Sequence, residues 1–218
     1  MADAASARPL RLPPDARRAQ ILEATLRCLA RNGPERWTLR QVSRELGVAP
    51  SLVTHFFGTW NDLLVAAYRV LSDRFAAEFS AIADAPGQSA GTRIGAYIRA
   101  FFADTWRDED TAGAYIAFWA LARSEPRLRG VMDEFARTSR QILAPMIADY
   151  ARERGYPGDP APVAETFAYL TSGLWYEIAV NPASLSAEAA TAQAEAYLEM
   201  ALTQRPTPTP SDGGQDGG

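Results

Sequence analysis

Lysine is absent from this sequence, and all 22 of its basic residues are arginine. There is one cysteine, Cys28, and one histidine, His55. A single thiol closes no internal disulfide, so nothing in the chain asks for an oxidising compartment. Cys28 shares an apolar helical face with Ile21, Ala24, Thr25 and Leu29 and reads as a buried core thiol. A lone histidine, with no Cys/His cluster and no spaced acidic loop around it, offers no metal site. The same shortage leaves no Ser-His-Asp grouping, and there is neither a P-loop nor a G-x-G-x-x-G after a strand. No catalytic residue, cofactor or metal is therefore assigned, and the chain is not expected to be an enzyme. No apolar run approaches the roughly 20 residues of a membrane span. The first residues, MADAASARPLRLPPD, lack the apolar core of a secretory signal, so a cytoplasmic protein is expected. Strand-like alternation and internal repeats are missing as well.

What is present is a chain of 218 residues, 47% hydrophobic, enough to bury a sizeable core. Its net charge of −4 hides an asymmetry. Residues 1–58 carry nine arginines against five acids, and residues 59–218 carry thirteen against twenty-one. A basic front on an acidic body is expected when only one part of a protein meets phosphates. Ordinary surface scatter gives the same numbers, so the choice depends on what the basic part contains.

It contains TLRQVSRELGVAPSLVTHFF, Thr38–Phe57. Thr38 can cap a helix start with its hydroxyl, and Gln41 can reach back to the cap's own N–H. Trp37 and Val42 have the spacing of a hydrophobic staple. Gly47 ends the helix where a left-handed backbone costs least, and Pro50 suits the first turn of the next. Val53, Phe56 and Phe57 supply that helix's apolar side, leaving Ser51, Thr54 and His55 outward. Helix, short glycine turn and short helix with a polar outer face make a helix-turn-helix.

Here GVAPSLVTHFF, the following Thr59–Leu64, and the leading helix RRAQILEATLRCLARNG (Arg17–Gly33) together resemble the TetR family of transcriptional repressors. Two positions depart from the family: Thr54 stands where it usually has tyrosine, and Trp60 where it has a phosphate-binding lysine. Further on, Ala114–Phe135 and LTSGLW, Leu170–Trp175, resemble the C-terminal domain of the BetI-type subfamily, with Ser172 where relatives often have Asp. The resemblance covers most of residues 16–203. It implies a homodimeric, ligand-responsive regulator, a double-stranded DNA operator, and a small-molecule effector, either a quaternary or methylated amine or a flat or apolar metabolite. The expected DNA-contacting residues are Thr38, Arg40, Gln41, Pro50, Ser51, Leu52, Thr54 and His55. The competing reading is an all-α small-molecule-binding protein or enzyme whose helix-turn-helix is only architectural.

Along the chain the expectation is all-α, with about nine helices. Residues 1–15 read as a disordered arm in which Arg8 and Arg11 either reach DNA or stay solvated. Residues 16–58 form the helix-turn-helix domain, its first helix running from about 16 to 31 with Asn32-Gly33 as the stop. Residues 59–203 form an effector-binding and dimerisation domain, and 204–218 a disordered tail. Within the larger domain, helices are expected near 60–83, 92–106, 112–125, 126–154, 165–180 and 186–203. Thr59 and Asp62 have capping-box spacing at the first of these. The segment Glu165–Val180 is apolar almost all round and should be buried on more than one side. Phe101, Phe102, Trp106, Tyr115, Phe118, Trp119, Thr171, Trp175 and Tyr176 are the candidate ligand-binding residues. Aromatic faces attract a quaternary ammonium by about 0.5–2 kcal/mol per well-placed ring, with Trp119 or Trp175 the expected partner. The same rings equally fill a helical core. Glu177 and Asp104 are either countercharges or solvated surface acids.

Overall fold

The computed structural model describes residues 13–203. The tail, Arg8, Arg11 and all of the arm except its last three residues lie outside them. Among the described residues there is no strand. The helices are α1 (Pro14–Arg36), α2 (Leu39–Leu46), α3 (Pro50–Phe57), α4 (Trp60–Ala83), α5 (Ala90–Phe101), α6 (Asp104–Arg107), α7 (Glu109–Ala122), α8 (Pro126–Glu153), α9 (Ala161–Val180) and α10 (Ala187–Thr203). With α6 a single turn, nine longer helices make the all-α fold. No described helix is long and apolar enough to cross a membrane.

Several boundaries differ from expectation, among them the start of α9, at Ala161 rather than near 165. The first helix starts at Pro14, and the stop at Gly33 is a kink (φ 70°, ψ 176°) beyond which helix continues to Arg36. Glycine accepts that backbone freely, and Pro34 needs no N–H in the turn it restarts. The helix expected through Trp106 breaks at Phe102, and α6 restarts at Asp104. Arg107 Nε donates to the Phe102 carbonyl at 2.6 Å, satisfying an acceptor that the break leaves open. The stretch left between the helices expected at 92–106 and 112–125 instead holds the first turn of α7, where Glu109 and Asp110 suit the positive end of the helix dipole.

The helices form two compact units: residues 13–71 with Glu109–Met132, and Ser72–Asp108 with residues 133–203. In the first, Ile21, Leu29, Val42, Val53, Leu63, Ala67 and Phe118 are fully buried. Here α7 lies against α1 so closely that a Cβ on Gly113 would stand 2.9 Å from the Ala30 Cβ and 3.0 Å from its Cα. Arg31 and Asp110 pair beside that contact at 3.5 Å. The start of α4 carries a reciprocal capping box. Thr59 N donates to Asp62 Oδ2 and Asp62 N to Thr59 Oγ1, each at 3.1 Å. Asp62 also accepts from Arg127 of α8 at 2.7 Å.

The second unit is built on Phe79, Tyr97, Ile98, Phe167 and Ile147, all nearly inaccessible. Glu153 caps α5 by accepting from the backbone N–H groups of Ala90 and Gly91, at 2.6 and 3.0 Å. On α9, Val163, Phe167, Thr171, Trp175 and Ile178 face inward. The opposite side of this helix is open among the described residues, with Tyr169 65%, Tyr176 43% and Val180 52% exposed. Burial on more than one side is therefore not reached among the described residues of one chain. Against the inner face α10 buries Ala190, Ala194, Leu198 and Leu202.

Candidate functional site

The helix-turn-helix is held from behind by α1. Arg18 donates to the Phe56 carbonyl at 3.1 Å and lies 4.3 Å from the Phe57 ring centroid. Arg27 Nε reaches Glu45 Oε1 at 2.6 Å, and the Cys28 thiol donates to Glu45 Oε2 at 3.1 Å. Burial, and then this carboxylate, push the Cys28 thiol up to about 12, so it stays protonated as the core residue expected. Between α2 and α3, Gly47 takes the left-handed conformation (φ 64°), and Val48 N closes on the Ser43 carbonyl at 2.9 Å. That pattern fixes the angle between the two short helices.

Thr38 caps α2, its hydroxyl accepting from Gln41 N at 3.3 Å. The Gln41 carboxamide does not return to the Thr38 N–H. It accepts from the Thr38 hydroxyl and donates to Asn32 Oδ1, each at 3.3 Å, because the kinked end of α1 brings an acceptor within reach. Trp37 and Val42 are both buried, and Trp37 stacks on Trp60 with centroids 5.2 Å apart. The departure from lysine at position 60 thus has a local consequence, an indole stack in place of a charge.

Thr38, Arg40, Pro50, Ser51, Thr54 and His55 are exposed on this unit, with Gln41 and Leu52 half-buried. Thr54 Oγ1 donates to the Ser51 carbonyl at 3.0 Å, and the His55 ring sits edge-on to Phe56 at 5.7 Å. Arg36, Arg40 and Arg44 are exposed and have no acidic partner among the described residues. Three uncompensated guanidinium groups beside a polar helix face suit a phosphate backbone, with the first half of α3 free to meet base edges. No described group of three or more His, Cys, Asp or Glu residues could hold a metal ion.

The candidate ligand residues divide between the two units. In the first, Tyr115 and Phe118 pack edge-to-face on Tyr68, at 6.2 and 5.2 Å, and Trp119 is 36% exposed. In the second, Phe101 and Trp106 meet the rings of Phe75 and Phe79, with Phe102 buried beside them in sequence. Trp175 is buried and donates through Nε1 to the Trp106 carbonyl at 3.0 Å. Thr171 is buried but spends its hydroxyl on the Phe167 carbonyl of its own helix. Tyr176 lies on the open face of α9. Asp104 pairs with Arg107, and Glu177 accepts from Ser184 Oγ at 2.6 Å. The acid that does meet the aromatic cluster is Glu78, which accepts from Trp106 Nε1 at 3.1 Å. Sequence reasoning passed it over, because a polar residue on a long helix reads as solvated and its partner is 28 positions away.

Residues 21–67 match the family of bacterial regulatory proteins of the tetR type, and residues 90–203 the BetI-type transcriptional repressor C-terminal domain. The HTH-type transcriptional regulator BetI of Burkholderia thailandensis is 31% identical over 193 residues, 87% of this chain and 95% of its own length. The regulator BetI 2 of Chromohalobacter salexigens is also 31% identical, over 194 residues, 86% of this chain and 89% of its own. Among solved structures, a Pseudomonas aeruginosa PAO1 protein assigned as a transcriptional regulator superposes with a TM-score of 0.79 at 28% identity, covering 88% of this chain and 93% of its own. A Saccharomonospora viridis protein assigned as a transcriptional regulator and solved with choline superposes at 0.71 and 17% identity, covering 85% and 96%. At that identity the likeness is one of fold.

Proposed function

Because the chain belongs to the TetR family of transcriptional regulators and carries a BetI-type repressor C-terminal domain, we propose that it binds a palindromic operator as a homodimer and releases it to a small-molecule effector. Residues 16–58 are the reading head, acting on DNA in the cytoplasm. Arg40 positions it on phosphates, and Pro50, Ser51, Leu52, Thr54 and His55 meet base edges. Residues 59–203 pair the subunits and take the effector, a quaternary or methylated amine held against the rings around Trp106 and Trp175. The effector must favour the DNA-free form over the DNA-bound form, since only a difference in affinity shifts an equilibrium.

The observation that carries this reading is the exposed face of α2 and α3, firmly backed by α1 and flanked by arginines without acidic partners. Trp60 offers no charge, so Arg40 bears a larger share of the phosphate affinity. Replacing Arg40 by alanine should weaken binding to specific and random duplexes alike. It should also reduce the slope of log affinity against log salt by about one. Fluorescence anisotropy over a salt series measures both. An unaltered affinity and slope would remove Arg40 from the interface, and no duplex binding by the intact protein would remove the operator reading.

A further inference from the structure

The two compact units differ in charge. Among the described residues the first has eleven arginines against eight acids, and the second eight against fifteen. Glu109–Met132 belongs to the arginine-rich unit although the chain reaches it late. Within that segment the charges are sorted. Glu109 and Asp110 open α7, where Asp110 pairs with Arg31. Its three arginines, Arg123, Arg127 and Arg129, stand at the other end, on the turn into α8, with Glu125 between them.

That turn is braced and joined to the end of α3. Arg129 Nε donates to the Ala122 carbonyl at 3.1 Å and its Nη2 to the Arg123 carbonyl at 3.0 Å, satisfying acceptors that the end of α7 leaves open. Arg127, with its side chain 61% exposed, reaches Asp62 Oδ1 at 2.7 Å. The other Asp62 oxygen takes the Thr59 N–H and lies 3.5 Å from where a Cβ on Gly58 would stand. Gly58 is the cap that ends α3. Arg123 is exposed and has no acidic partner among the described residues.

A helix in the major groove has a phosphate backbone on either side of it. On the side that α2 crosses, Arg40 and Arg44 are exposed. Beyond the end of α3, Thr59, Trp60 and Asn61 are neutral and Asp62 is negative. Phosphates on that side would therefore meet no net positive charge from the start of α4. Arg127 cancels the charge of Asp62, and Arg123 adds one that nothing matches.

We propose that Arg123 and Arg127 form a second phosphate-contacting patch of the reading unit, which meets duplex DNA outside the base pairs that α3 reads. The partner is the sugar-phosphate backbone, so the patch adds affinity without base preference. This rests on the operator reading above and extends its footprint outward.

Fluorescence anisotropy of the full-length protein tests this on a duplex selected from a randomised library. The duplex is made in two lengths, trimmed to the selected base pairs or extended by about ten base pairs at each end. Wild type should bind the extended form at least about fivefold more tightly at low salt, with a steeper salt dependence. Arg123→Ala should remove most of that gain and lower the salt slope on the extended form by about one per subunit. On the trimmed form its affinity should stay within about twofold of wild type. Arg140→Ala deletes an equally exposed arginine from the second unit and should leave both forms unchanged. Circular dichroism checks folding, and Arg127→Gln, read in the same way, carries the test if Arg123→Ala is not folded. Wild type that binds both lengths equally would overturn the proposal and leave the operator reading standing. Folded Arg123→Ala with unchanged affinity for the extended form would do the same, as would equal losses on both lengths or in Arg140→Ala. Wild type that binds neither length would remove the operator reading and this patch together.

Discussion

Asp62 ties the starts of two helices together through three donors: it accepts from the Thr59 hydroxyl and N–H at the start of α4 and from Arg127 at the start of α8. The Thr59 hydroxyl first, then the Arg127 guanidinium, hold its carboxyl at about 2, against an ordinary 3.8. A depressed carboxyl stabilises the fold fully above its unfolded value, and that contribution is lost as pH falls through the folded one. Asp62→Asn should therefore lower the melting temperature at neutral pH and flatten its decline between about pH 4 and pH 2. Circular-dichroism melts across that range measure both, and parallel acid limbs for the two proteins would contradict the assignment. The Thr59–Asp62 spacing was legible in the sequence because a cap is a local device. Arg127 was not, being 65 positions away. Glu78 was hidden for the same reason, and Gln41 was misjudged because Asn32 competes for its carboxamide.

Among the elements, boundaries were legible at Gly47, Gly58 and Pro126, where glycine or proline sets them, but not at Gly33, where Pro34 restarts the helix. They were illegible where a distant or tertiary bond decides, as at the Phe102 break closed by Arg107. The pairing of α7 with α1 left no mark that periodicity could show. It depends on Gly113, whose missing Cβ leaves room for the Ala30 backbone. Gly113→Leu should cost about 1–3 kcal/mol, since a rigid helix rather than a flexible side chain must move aside. Gly130 on α8 has nothing within 4 Å of its would-be Cβ, so Gly130→Ala should stabilise by about 0.4–1 kcal/mol. Urea titrations of both variants decide between them. Equal stabilities would mean that the close approach at Gly113 is not a constraint.

At the scale of the whole molecule, the open face of α9 is the feature to explain. Tyr169, Gly173, Tyr176 and Val180 recur at helical spacing, and α10 adds exposed Ala189, Ala192, Ala196 and Met200. Exposed apolar surface of this extent suits a protein partner, and under the proposed function a second copy would supply the two-fold that a palindrome requires. Gly173 has nothing within 4 Å of its would-be Cβ inside the chain, so leucine there disturbs only what lies outside it. Sedimentation of the intact protein at micromolar concentration should give a dimer, shifted toward monomer by Gly173→Leu with the subunit still folded. A wild-type monomer would end the palindrome reading.

The first compact unit has one more consequence, and it concerns birth rather than function. Its sequence is interrupted: after Leu71 the chain goes away to build Ser72–Asp108 before returning with Glu109–Met132. A nascent chain has thus already emitted both DNA-reading helices while the helix that covers Ala30 is still untranslated. At roughly 5–20 residues per second, the wait from Leu71 to Met132 lasts about 3–12 s. Throughout it the side of α1 meant for α7 has no cover, so the reading head is written first and finished late.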